Sequence, residues 1–162
     1  MTMTIDRTAL LADVQAFLWA EADLLDRRNY DGWLALWLPE GHYTMPIGDT
    51  EDFDNALNLC HDDDKMRRDR IGRFQQGFSI SSAPPALTVR TVSRIVLDQV
   101  QGDRVTVRSS LHLVESKFGR QRLWAGDVTH ALAGGPGDFR IRDKVVRLLN
   151  SDGMLNSFSY LF

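Results

Sequence analysis

Apolar residues recur at helical spacing early in the chain and at alternate positions late in it. From about Asp6 to Arg28, the residues Leu10, Val14, Phe17, Leu18, Leu24 and Leu25 share one stripe at about 100° per residue, which predicts an amphipathic helix. Two residues break the pattern. Glu21 falls inside the apolar stripe, and Trp19 falls on the polar side with Asp23 and Asp26. A short second helix is expected next, with Asn29 as its N-cap and Tyr30, Trp33, Leu34, Leu36 and Trp37 as its apolar block. Pro39 is expected to stop it, because proline has no N–H to donate. Pro39-Glu40-Gly41 then reads as a turn into the β-prone run His42 to Met45, which Pro46 ends. Further on, Cys60 to Lys65 reads as the start of another helix, with acids near its positive end. Ser79 to Pro85 reads as a loop.

After that loop the pattern changes. Ala86 to Asp98, Arg104 to Lys117, Arg122 to Ala133 and Phe139 to Asn150 are β-rich runs joined by short links with glycine or turn residues. Short links imply antiparallel neighbours. Val105, Val107, Leu111 and Leu113 point one way, opposite Thr106, Arg108, Ser110 and His112. If Phe118-Gly119 is a two-residue hairpin, His112 lies diagonal to Asp127, and His130 joins the valines on the apolar face. Helices first and a meander after is the α+β pattern, with N-terminal helices packed against an antiparallel sheet.

Length and charge narrow the function. The 162 residues read as a single domain, 1–162, long enough for a real core. A formal charge of −3 without a clear basic block argues against a nucleic-acid partner. No apolar run approaches the ~20 residues that span a bilayer, so no membrane partner is expected. The opening MTMTIDR has no apolar h-region, and the lone Cys60 allows no internal disulfide. Together these fit a cytoplasmic location.

The candidate chemistry is scattered. Glu21 is either a carboxylate paired with a sheet arginine or backbone donors, or an acid in a pocket, since a bare buried carboxylate is costly. The arginine-rich run Phe139 to Leu149 could supply its partner. Trp19 is either partner-facing or packed under a loop of its own chain. Tyr30, Asp31, His42, His112 and His130 could line a cavity with Glu21 and support acid–base chemistry, or be ordinary surface and core groups. Cys60, His61 and the aspartates after them are mixed ligand types with no second cluster, so a solvated helix start is expected there and no metal site. No phosphate loop, nucleophile elbow or paired-cysteine motif is present. The apolar tail, Phe158-Ser159-Tyr160-Leu161-Phe162, reads as docked, either on this sheet or against another subunit. Trp19, Phe158, Tyr160 and Phe162 are therefore interface candidates.

The segment EADLLDRRNYDGWLALWLPEGHYTMPI resembles the N-terminal signature of the β (small) subunits of aromatic-ring-hydroxylating dioxygenases. HDDDKMRRDRIGRF, LTVRTVSRIVL, VTVRSSLHLVESKFGRQRLWAGDVTHAL and FRIRDKVVRLLNSD with the aromatic tail LNSFSYLF resemble later parts of that family, in the same order. Asp49 to Leu59 and SISSAPPA depart from the family pattern. The resemblance implies a nuclear transport factor 2-like (cystatin-like) cone. It also implies a homotrimer within an α3β3 assembly with a dioxygenase α subunit. The Rieske [2Fe–2S] cluster and mononuclear Fe(II) would be carried by α, with no cofactor in this chain and no catalytic or metal residue to carry over. The β subunit of this family is structural, and in some members it influences substrate choice. The alternative is a stand-alone dehydratase or isomerase of the same fold, loosely similar to the scytalone-dehydratase arrangement. Tyr30, Asp31, His112 and His130 would then be its catalytic residues.

Overall fold

A computed structural model describes residues 4–80, 85–149, 151 and 158–162. Helix α1 spans Arg7–Asp26, and Asp6 caps it by accepting from the backbone N–H groups of Thr8 and Ala9 at 3.0 and 3.2 Å. Its far end closes as a Schellman motif. The Asn29 N–H reaches the Leu24 carbonyl at 2.8 Å, the Arg28 N–H reaches that of Leu25 at 3.0 Å, and Arg28 takes φ of +57°. Asn29 then caps α2, Tyr30–Leu34, by accepting from the Gly32 N–H at 3.0 Å.

Strand β1, Trp37–Pro46, begins before Pro39, so the proline does not end a helix and Pro39-Glu40-Gly41 is not a turn between elements. The reason lies in the pairing with the last strand, β6 (Arg140–Leu148). Trp37 faces Ile141 and His42 faces Asp143, so the residues between them bulge opposite Arg142. A proline costs little where the ladder has lapsed. The freed carbonyls of Gly41 and Leu38 accept from the buried guanidinium of Arg67, which also stacks over Trp37 at 4.2 Å from the ring centroid.

Cys60 to Asp62 also differ from the expectation. They belong to strand β2, Asn58–Asp62, antiparallel to β1, with Cys60 and Asp62 buried at alternate positions. Helix α3 follows at Asp64–Ile80, and Asp63 caps it by accepting from the Met66 N–H at 2.9 Å. Of the loop expected at Ser79 to Pro85, residues 81–84 lie outside the described residues.

The meander is present as β3 (Leu87–Gln101), β4 (Arg104–Lys117), β5 (Arg120–Ala133) and β6. The six-stranded sheet runs β2-β1-β6-β5-β4-β3. The β1–β6 pair is parallel, a feature the short links alone did not indicate. Lys117 pairs with Arg120 across Phe118 and Gly119, whose φ angles of +52° and +72° suit a two-residue hairpin. The β4–β5 ladder has no shift, so His112 is diagonal to Asp127 and His130 sits opposite Val107.

Helix α1 lies along β3, the last strand of the sheet, and occupies its open edge. Trp19 Nε1 donates to the Val92 carbonyl at 3.0 Å, and Arg7 donates to that of Leu97 at 3.1 Å. The Arg90 N–H donates to Asp26 at 2.8 Å. The core lies between α1 and the inner sheet face, where Val14, Leu18, Trp33, Leu113, Ile141 and Phe162 are buried.

A Cβ added at Gly41 would collide with the backbone carbonyl of Arg142, which cannot swing aside as a side chain could. Gly41→Ala is therefore expected to lower unfolding free energy by about 1–3 kcal/mol, the usual cost of overpacking. Equilibrium urea denaturation reads this, and an unchanged midpoint would show that the bulge relaxes freely.

Candidate functional site

Glu21 lies three residues past Leu18 on the buried face of α1, so the helix carries its carboxylate directly into the core. Three donors meet it there. His130 Nε2 lies 2.8 Å from Oε1, while Trp33 Nε1 and Lys144 Nζ each donate to Oε2 at 2.9 Å. Glu21, His130 and Lys144 are each 3% exposed. His130 and Lys144 are direct cross-strand partners on β5 and β6. The partner of Glu21 within the last run is thus a lysine rather than an arginine.

Burial alone would raise the Glu21 carboxyl pKa. The Lys144 ammonium and the His130 imidazole outweigh it and hold that carboxyl well below its ordinary 4.5. Burial lowers the pKa of His130, and the carboxylate only partly offsets this. A carboxylate that is held ionised, and whose oxygens are already engaged by donors, is a weak proton acceptor for any other molecule. The void beside it measures about 20 Å³, and Phe162 forms part of its wall.

The other candidates do not join this cluster. Tyr30 is buried and its ring faces Phe74 at 6.1 Å, whereas Asp31 is exposed. His112 is exposed and sits on the opposite sheet face from His130. His42 stacks on His61 at 5.1 Å in an open groove of about 390 Å³, walled also by Phe53, Asp54, Asp143 and Val145. Sequence reasoning missed that pairing, because it placed His61 on a helix rather than on a strand beside β1. Among the described residues, no three His, Cys, Asp or Glu side chains are grouped so as to hold a metal ion.

The tail docks on this chain's own sheet. The Phe162 N–H donates to the Tyr43 hydroxyl at 3.0 Å, the Leu161 carbonyl accepts from Arg90, and the Tyr160 hydroxyl donates to Glu115. Trp124 meets Phe158 and Phe162 edge-on. Of the interface candidates, Trp19 is 53% exposed, Phe158 is half-buried, and Tyr160 and Phe162 are buried. The outer sheet face carries a further apolar group. Val89 pairs with Val114 and Val114 with Leu123, and all three side chains are exposed together with Leu87.

Fold and site together define an α+β cone of the nuclear transport factor 2-like class, with a curved, unclosed sheet. The family model described as the ring hydroxylating beta subunit matches residues 20–152, and the chain belongs to that family. It is 24% identical over 149 residues to the benzoate 1,2-dioxygenase subunit beta of Acinetobacter baylyi, covering 88% of each chain. It is 26% identical over 164 residues to the benzene 1,2-dioxygenase subunit beta of Pseudomonas putida, covering 93% of this chain and 87% of that one. The crystal structure of the benzoate 1,2-dioxygenase beta subunit from Burkholderia mallei superposes with a TM-score of 0.80 and 25% identity, covering 99% of this chain and 100% of that one.

Glu21→Gln keeps the shape but leaves the Lys144 cation buried without a counter-charge. It is expected to cost about 3–5 kcal/mol of stability. In the native protein, the contribution of Glu21 is fully present above the ordinary carboxyl value of 4.5 and is lost as pH falls below it, because the unfolded chain takes up the proton first. The acid limb of a stability-against-pH curve should therefore flatten in Glu21→Gln. A limb of unchanged slope would show that another group titrates there.

Proposed function

We propose that this chain is the non-catalytic β subunit of a multicomponent dioxygenase that adds both atoms of O2 to an aromatic ring in the breakdown of aromatic compounds. Its partner is the α subunit, which carries the Rieske [2Fe–2S] cluster and the mononuclear Fe(II). The assembly is an α3β3 hexamer built on a homotrimer of this chain, in the cytoplasm. The observation that carries this reading is the family match over residues 20–152.

The geometry supports it. The space beside Glu21 measures about 20 Å³, and the carboxylate there is already engaged by Trp33, His130 and Lys144. A stand-alone dehydratase or isomerase would need an open cavity with its titrating groups convergent, whereas Asp31 and His112 lie exposed, away from the buried His130. What the chain does present is surface. The strip of Leu87, Val89, Val114 and Leu123 crosses three neighbouring strands on the outer face, and an exposed contiguous apolar group of this kind marks a contact site.

Co-expression with a Rieske-type α subunit is expected to give one stable mixed complex by light scattering after size exclusion. Val89→Glu combined with Leu123→Glu should dissociate it, while changing the stability of the isolated chain by no more than about 0.5 kcal/mol per site. A wild-type chain that stays monomeric beside the α subunit would refute the reading.

A further inference from the structure

Three buried polar atoms have no hydrogen-bond partner among the described residues and belong to side chains around one void. They are Arg90 Nε, Ser109 Oγ and His130 Nδ1. Such atoms are rare in folded proteins, because each has given up its bond to water. Two of them, on Ser109 and His130, belong to paired neighbouring strands beside this void.

Its size and chemistry define an occupant. The void measures about 20 Å³. One water molecule needs roughly 10–15 Å³ on the same measure, so this space takes one and excludes an organic ligand. An apolar cavity of that size would stay dry, but this one is not apolar at every wall.

The polarity can be assigned atom by atom. His130 Nε2 faces Glu21 Oε1 at 2.8 Å. An ionised carboxylate only accepts, so Nε2 bears the hydrogen and Nδ1 is left as a bare acceptor. A serine hydroxyl both donates and accepts. Ser109 is paired with Val128, two residues before His130 on the same strand, so Ser109 and His130 are diagonal neighbours on the inner face. One acceptor and one group of either kind is a set that a single water satisfies, since water donates twice and accepts twice.

We propose that this void is a binding site for one water molecule, which donates to His130 Nδ1 and bonds Ser109 Oγ. The water does more than fill space. By donating to Nδ1 it holds His130 in the tautomer whose Nε2–H faces Glu21, and so completes the buried charge network from its far side.

A crystal structure of the assembled protein at about 1.5 Å tests this. One well-ordered solvent peak is expected within hydrogen-bonding distance, about 2.6–3.2 Å, of His130 Nδ1 and Ser109 Oγ. A void without density, or an imidazole turned so that Nδ1 meets another protein group, overturns the proposal. Variants at Ser109 give an independent reading. In Ser109→Val the added methyls displace the water and strand Nδ1, so the peak is lost and the thermal midpoint falls about 2–4 °C below that of Ser109→Ala. If the void is dry, those methyls improve packing, and a Ser109→Val protein as stable as Ser109→Ala or more so overturns the proposal.

Discussion

A carboxylate in an apolar interior is tolerated only when its donors arrive together, and the placement of Glu21 imposes that condition on most of this fold. The desolvation of each ion costs several kcal/mol, so a half-satisfied network is worse than an apolar core. The donors come from three places: Trp33 on α2, His130 on β5 and Lys144 on β6. His130 and Lys144 are cross-strand partners, so one register of β5 against β6 turns both inward. A slip of one residue in either strand would turn its donor to the other face and leave the carboxylate short of a partner. The buried network therefore specifies register in a part of the sheet where valines and leucines alone would pack in more than one way.

Much of this was legible in the residues, and two of the misses share a cause. The stripe of α1 with Glu21 inside it, the Asn29 cap, the Phe118-Gly119 hairpin and the alternation along β4 all follow from period and turn chemistry. The helix stop at Pro39 and the arginine partner for Glu21 do not hold, and both trace to Arg142. The β5–β6 ladder skips Arg142, where Ala131 faces Asp143 and Leu132 faces Ile141. That shift changes the parity of β6, so Ile141 and Lys144 both face the core and the arginines do not. On its other side, Arg142 stands opposite the bulge that contains Pro39. A bulge leaves no mark in a hydrophobic period, because the residue that breaks alternation looks like an ordinary polar position.

The tail shows how the same interior came to be closed. Arg90 joins Asp26 of α1 to the Leu161 carbonyl, and Tyr160 is held by Glu115, itself paired with Arg122 at 2.8 Å. These bonds set Phe162 against the wall of the space beside Glu21. A half-open cone can receive a ligand in that position, but here an aromatic side chain from the same polypeptide takes it. The tail thus closes this part of the interior from within the same chain.

The outside is not uniform, and its division follows from strand alternation. Outward residues of β4 run from Arg108 through Ser110, His112 and Val114 to Ser116, with Val114 the apolar side chain among them. The polar end carries the Arg94–Asp127 and Arg108–Asp98 ion pairs, while the hairpin end carries Val89, Val114 and Leu123. An exposed apolar face and an open strand edge are two separate invitations to associate. The β3 edge is occupied along α1 by the side chains of Arg7, Trp19 and Asp26. Strand-to-strand addition at that edge would have to displace them, with the loss of their hydrogen bonds. Packing against the face displaces only water from apolar surface. The helix that delivers Glu21 to the core thus also bears on how this subunit can be joined, by closing the β3 edge and leaving the outer face.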